Sequence, residues 1–279
     1  MQESFGEENL TPPDGEDLTI AKAIANLKQK EDTSLRYYAA WWLGRFRVGD
    51  PEAIAALIEA LEDEDHRTPD GGYPLRRNAA KALAKLGATE AIPALLQCLN
   101  CSDVYVRESA AQALGAIGDR SCIPNLLKFL EGGVEAAQFV PGKPHLVQPY
   151  EAIIEALGAL QATEAIEAIA PFLEHPVEKV QYAAARGLYQ ITGEDRYGQR
   201  LILALQGDRL QLRRSALMDL GAVGYLPAAE AICKTLAENS LKLIALKGIL
   251  EHHLQGISSS SLQLSEDSIR VMGFMDSLL

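Results

Sequence analysis

With 26 basic and 38 acidic side chains in 279 residues, the chain carries a formal charge of −12, which argues against broad binding to a nucleic-acid backbone. No apolar run reaches the roughly 18 residues that a bilayer-crossing helix requires. The first residues are polar and acidic instead of signal-like, and four cysteines are few for this length, so a soluble chain in a reducing cytoplasm is expected.

In chain order, Met1 to Asp17 reads as an acidic flexible tail containing Pro12-Pro13, and Leu18 to Lys28 reads as a helix. A repeat then begins. The segment Leu75-Arg76-Arg77-Asn78-Ala79-Ala80-Lys81-Ala82-Leu83 returns 31 residues later as Val106-Arg107-Glu108-Ser109-Ala110-Ala111-Gln112-Ala113-Leu114. Weaker copies open at Leu35, Pro149, Val180, Leu212 and Leu241. Second apolar-periodic helices follow, as at Ala91 to Leu99, Ser121 to Leu130, Glu164 to Leu173 and Leu226 to Leu236. A single helix pair cannot bury its apolar face, so stacked pairs are expected to form one continuous core. The predicted fold is all-α, a curved α-solenoid of HEAT-like helix pairs over residues 18–255. Residues 256–279 read as a Ser-rich linker, with Ser258 to Ser261 as a break. A short C-terminal segment, Ser265 to Leu279, is expected to form a helix that docks on a partner.

Three departures from the repeat stand out, and departures in solenoids collect on binding faces. The first is Leu35-Arg36-Tyr37-Tyr38-Ala39-Ala40-Trp41-Trp42-Leu43-Gly44-Arg45, which holds both tryptophans of the chain. Other copies place Lys81, Gln112, Glu155, Arg186 and Lys247 where this helix has Trp41, a solvent-type position. Tyr37, Trp41 and Arg45 fall four residues apart, on one helix face. Trp42 replaces Ala82, Ala113, Ala156 and Gly187, a small packing position. Two readings stand: the preceding helix caps these rings as a terminal repeat, or the rings receive a flat conjugated ligand or a partner protein.

The second departure is the insertion Asp63-Glu64-Asp65-His66-Arg67-Thr68-Pro69-Asp70-Gly71-Gly72-Tyr73-Pro74, either a charged surface turn or the edge of a ligand site. The third is the long connection from Gly132 to Pro149, whose Phe139-Val140 offers an apolar edge to a partner or belongs to a mobile loop. Metal chemistry finds little support. Cys98 and Cys101 form a lone C-x-x-C without a second ligand pair, the histidines are scattered, and no phosphate-binding or nucleophile motif is present. Packing and capping account for those cysteines.

The stretches Arg36 to Gly49, Glu62 to Ala80 and Cys101 to Glu108 together resemble the E subunits of the cyanobacterial E/F-type phycocyanobilin lyases, in the phycobilisome-lyase HEAT class. The resemblance covers roughly Leu18 to Leu254. It implies a lyase subunit that works with a homologous F-type subunit to attach phycocyanobilin through a thioether to a cysteine of the phycocyanin α-subunit. It also implies detachment or transfer of the bilin. Phycocyanobilin is then a substrate and no resident cofactor or metal is expected.

Such a bilin needs an aromatic platform, cations for two propionates, and a carboxylate near its ring nitrogens. The candidate bilin-binding residues are therefore Tyr37, Tyr38, Trp41 and Trp42 for the rings, and Arg36, Arg45, Arg76, Arg77 and Arg107 for the propionates. Asp70 and Asp65 are the candidate acids, with His66 and Tyr73 as candidates for proton transfer. Arg76 and Arg107 have a structural alternative, because a basic residue recurs at Arg36, Arg213 and Lys242. Two rival functions remain: the E subunit of a phycoerythrocyanin lyase-isomerase, and a non-catalytic HEAT scaffold or chaperone for phycobiliprotein assembly.

Overall fold

The computed structural model describes residues 18–254 and 264–279. The acidic tail and the serine break expected from the sequence lie outside the described residues. The described chain is helical, with no β-strand. Its first helices of each pair start within two residues of the expected repeat openings: α2 (Thr33–Arg45), α4 (Pro74–Leu86), α6 (Val104–Ile117), α9 (Tyr150–Ala159), α11 (Glu178–Thr192), α13 (Leu210–Val223) and α15 (Asn239–Leu254). Ahead of them runs α1 (Ile20–Lys28). Between them lie α3 (Pro51–Ala60), α5 (Ile92–Cys98), α7 (Ile123–Leu127), α8 (Gly133–Ala136), α10 (Ile166–Ile169), α12 (Asp195–Ala204) and α14 (Ala229–Lys234), and α16 (Glu266–Asp276) closes the chain.

Local chemistry sets these boundaries. Asp32, Asp50 and Asp103 each accept backbone N–H groups from the first turn that follows, and Pro51 and Pro74 sit where a missing N–H costs nothing. Gly87 and Gly118 end α4 and α6 with φ of +63° and +83°, which other residues adopt only with strain. Several second helices are shorter than the periodicity predicts. Each of these runs divides into 3₁₀ and α pieces, with Pro93, Pro124, Pro171 and Pro227 lying within them.

The helix pairs gather into two compact units, one made of the described residues up to Asn125 with Gly142–Pro149, the other of Leu126–Pro141 with Tyr150–Leu279. In the first unit α2 packs on α1 and α4, and α4 packs on α6. The approach is close: a Cβ built on Gly44 would stand 2.7 Å from the Ala82 Cα. In the second unit α9 packs on α11 and α13 on α15, with Leu188, Leu217, Leu246 and Ile249 fully buried. There α16 lies on α14 and α15 of its own chain, with Val271 and Ser268 buried and Asn239 donating to the Leu278 carbonyl at 2.8 Å. The C-terminal helix therefore docks within the chain through that face.

Two stability predictions follow from this packing. Gly44→Val should cost about 1–3 kcal/mol by overpacking against Ala82, read as a lower denaturant midpoint. In the second unit, Arg186 Nη1 reaches both Glu155 Oε2 at 3.3 Å and Asp219 Oδ1 at 2.9 Å. Burial raises the Asp219 carboxyl to about 6, above its unfolded value of 3.8. A raised acid stabilises the fold while it is protonated, so its contribution should be present below about pH 4 and fade as pH rises through 6. Asp219→Asn should flatten the stability profile across that window and be more stable than the parent above it; identical urea midpoints for the two proteins at pH 7 would contradict this.

Candidate functional site

The insertion loop is bound tightly to the first unit by two buried carboxylates. Asp63 pairs with Arg36 at 2.7 Å, with their side chains 3% and 8% exposed, and accepts the His66 backbone N–H at 2.9 Å. Asp103, which caps α6, also accepts the Tyr73 backbone N–H at 2.9 Å and faces Arg77 Nε at 3.7 Å. Thr68 closes the tip by accepting from Gly71 and Gly72 at 2.8 Å each. Tyr73 is buried, its phenol donating to Glu64 at 3.0 Å, with the Arg67 and Arg76 guanidiniums 4.8 and 4.2 Å from its ring centre. That bond to Glu64 raises the phenol above its ordinary value and lowers the Glu64 carboxyl.

The candidate propionate ligands divide sharply. Besides Asp63, Arg36 donates from Nε to the Leu27 carbonyl at 3.1 Å. Arg76 donates to the carbonyls of Asp63 at 2.7 Å and Glu62 at 3.2 Å and pairs with Glu64. Arg107 serves the carbonyls of Cys101 at 2.6 Å, Ser102 at 3.3 Å and Val147 at 2.9 Å. Arg77 lies between Asp103 and the Tyr105 ring. Arg36, Arg76 and Arg107 thus spend donors on carbonyls within the fold, as the recurrence of a basic residue at this position allowed, while Arg77 makes only the 3.7 Å ion pair and its buried Nε, like that of Arg107, has no hydrogen-bond partner among the described residues. Arg45, by contrast, is exposed, with no hydrogen bond or ion pair among the described residues.

The candidate acids are both exposed and ionised. Lys30, 2.7 Å from Asp65, holds that carboxyl below its usual range, and the Thr68 hydroxyl does the same for Asp70. They suit counter-ion duty toward a cation better than proton donation. Desolvation lowers His66 below its ordinary value, and its buried Nδ1 has no partner. Of the C-x-x-C pair, Cys98 donates to the Leu61 carbonyl at 3.8 Å and burial pushes it up to about 11, while the half-buried Cys101 sulfur accepts from Arg76 at 3.9 Å.

The four rings of α2 do not share one face. Tyr38 stacks on Trp41 with ring centres 5.6 Å apart, while Trp42 meets Phe46 at 5.1 Å. Tyr37, Tyr38, Trp41 and Trp42 are half-buried and Phe46 is 61% exposed. Tyr37 contributes its carbonyl to Asn78 at 3.2 Å. Trp41 forms one wall of a hollow of about 280 Å³ over α2, α4 and α6, lined also by Gly44, Ala82, Ala113, Lys81 and Lys85. In the sequence, Lys81 stands out only as the counterpart of Trp41 in the next copy. That adjacent copies place these counterparts side by side was the available signal for the hollow.

The fold and this surface define a helical-repeat protein. A family model described as HEAT repeats matches residues 20–99 and 69–136, and one described as PBS lyase HEAT-like repeat matches residues 149–175. A protein of Synechocystis sp. named phycocyanobilin lyase subunit alpha is 62% identical over 276 residues, covering 99% of this chain and all of that one. A solved complex of CpcE and CpcF of phycocyanin lyase from Nostoc sp. contains a chain 58% identical to this one, with a TM-score of 0.85 over 97% of this chain and 99% of that one. The bilin biosynthesis protein PecE of Mastigocladus laminosus is 46% identical over 240 residues, covering 86% of this chain and 84% of its own. The chain belongs to the phycocyanobilin lyase α-subunit family.

The committed arginines carry a prediction. Arg36→Met should leave Asp63 buried without its partner and cost about 3–5 kcal/mol. A chemical melt unchanged from that of the parent would show the pair to be dispensable. Adding Asp63→Leu should restore only part of the loss, because the Leu27 carbonyl and the His66 N–H stay without their partners.

Proposed function

We propose that this chain is the E-type subunit of a heterodimeric bilin lyase in the cyanobacterial cytoplasm, working with an F-type partner. The pair attaches phycocyanobilin to a cysteine of the phycocyanin α-subunit and also detaches or transfers it. The observation that carries this reading is the near-complete match, at 58% identity, to a chain solved as the complex of CpcE and CpcF. The absence of a bilayer-length apolar helix among the described residues is compatible with that compartment.

The reaction adds the sulfur and hydrogen of a thiol across the ethylidene double bond of ring A, forming C–S and C–H bonds without an oxidant or reductant. The acceptor thiol belongs to the substrate protein, which fits the raised, buried Cys98 and leaves the chain's own cysteines out of the chemistry. The subunit's contribution is orientation: a rigid aromatic surface holds a flexible tetrapyrrole so that one face of the ethylidene meets the thiol. Tyr38 and Trp41, stacked and half-buried, provide that surface. Asp65 and Asp70 remain the carboxylates available to a protonated bilin nitrogen. The lyase-isomerase reading is weaker, because PecE stands at 46% identity against 62% for the Synechocystis lyase subunit.

Reconstitution tests this. Phycocyanobilin, the phycocyanin α-subunit and the F-type partner should give the covalent adduct at least tenfold faster with this chain than without it, about 1.4 kcal/mol of barrier. Equal rates would defeat the lyase reading; an adduct with the absorption of an isomerised bilin would move the chain to the lyase-isomerase class.

A further inference from the structure

The hollow beside Trp41 combines three features that suit one kind of ligand. Its floor is apolar, built from Gly44, Ala82 and Ala113 where α2, α4 and α6 pack together. Its wall is an indole already stacked on Tyr38. On its edge stand Lys81 and Lys85, four residues apart on α4, so that their side chains leave the helix on one side. Both lysines are exposed, and neither side chain makes a hydrogen bond or ion pair among the described residues. In a chain of charge −12, two adjacent uncommitted cations over an aromatic wall favour a planar ligand with two carboxylates.

We propose that Lys81 and Lys85 receive the two propionates of the bilin while Trp41 covers its conjugated rings. This rests on the bilin-lyase reading and assigns the carboxylate contacts within it. The arginines at the equivalent ends of α2, α4 and α6 are occupied by backbone carbonyls, whereas these lysines have all three ammonium donors available. Ammonium groups on long flexible stems also tolerate the variable spacing of two propionates better than a rigid guanidinium fork does. A volume of about 280 Å³ is at the small end for a ligand pocket, so the hollow holds part of the tetrapyrrole and leaves ring A outside for the acceptor thiol.

The test compares two ligands on two proteins. Saturable binding of phycocyanobilin and of its dimethyl ester is measured by absorption on the complex with the F-type partner, using the parent and the Lys81→Gln/Lys85→Gln double variant. Both lysines are exposed, so the variant should fold and assemble as the parent does, checked by melting and size exclusion. The variant should bind the free diacid about tenfold more weakly, while the two proteins bind the diester alike. Unchanged binding of the diacid, an equal loss on both ligands, or no saturable binding to the parent would each overturn the assignment. Adduct formation is followed separately: a parent complex that binds bilin but forms no adduct defeats the lyase reading, while the binding ratios still decide the lysines.

Discussion

Most of the first unit depends on cations that close the ends of its helices. The last carbonyls of a helix have no partner within it, and a basic side chain placed there satisfies them and opposes the negative end of the helix dipole. Arg36 does this for α1 through Leu27, Arg76 for the residues after α3, and Arg107 for the turn before α6. In the second unit, Arg213 serves the carbonyls of Gly207 and Leu236, and Lys242 that of Cys233. The same three arginines of the first unit hold Asp63, Glu64 and the Val147 carbonyl, so the insertion loop and the later connection are tied to the helices by the groups that end them.

That constraint separates structure from recognition. A charge whose donors are spent on buried carbonyls cannot turn to a ligand without leaving orphaned polar atoms, at a cost of about 1–3 kcal/mol each. In the proposed reading, recognition falls to what the ends leave free: the rings of α2, Arg45, and the lysines along α4. The close contact of Gly44 with Ala82 matters here, because it brings the Trp41 indole beside the next helix's solvent-type positions.

The repeat was legible in the sequence because amphipathic period and Gly punctuation report local physics, and the seven openings found from it match the helix starts. The contrast between Trp41 and Trp42 was legible as well, since the copies supply an internal reference. What the sequence concealed was commitment. Arg36 and Arg45 look alike in composition, yet one is buried against Asp63 and the other is exposed, and only tertiary packing distinguishes them. Likewise, Tyr73 reads as a proton-transfer group until its phenol is found donating to Glu64 with two guanidiniums against its ring. Asp219, which occupies the small packing position held by Ala82 in α4, gave a signal that the aromatic helix overshadowed.

Because Trp41 and Trp42 are the chain's two tryptophans, they provide a direct view of the proposed surface. Fluorotryptophan placed in this chain alone, within the complex, should give two resonances that single substitutions to phenylalanine assign. Saturating phycocyanobilin should shift the Trp41 resonance strongly and that of Trp42 less. Bilin binding that leaves the Trp41 resonance unmoved would contradict the account.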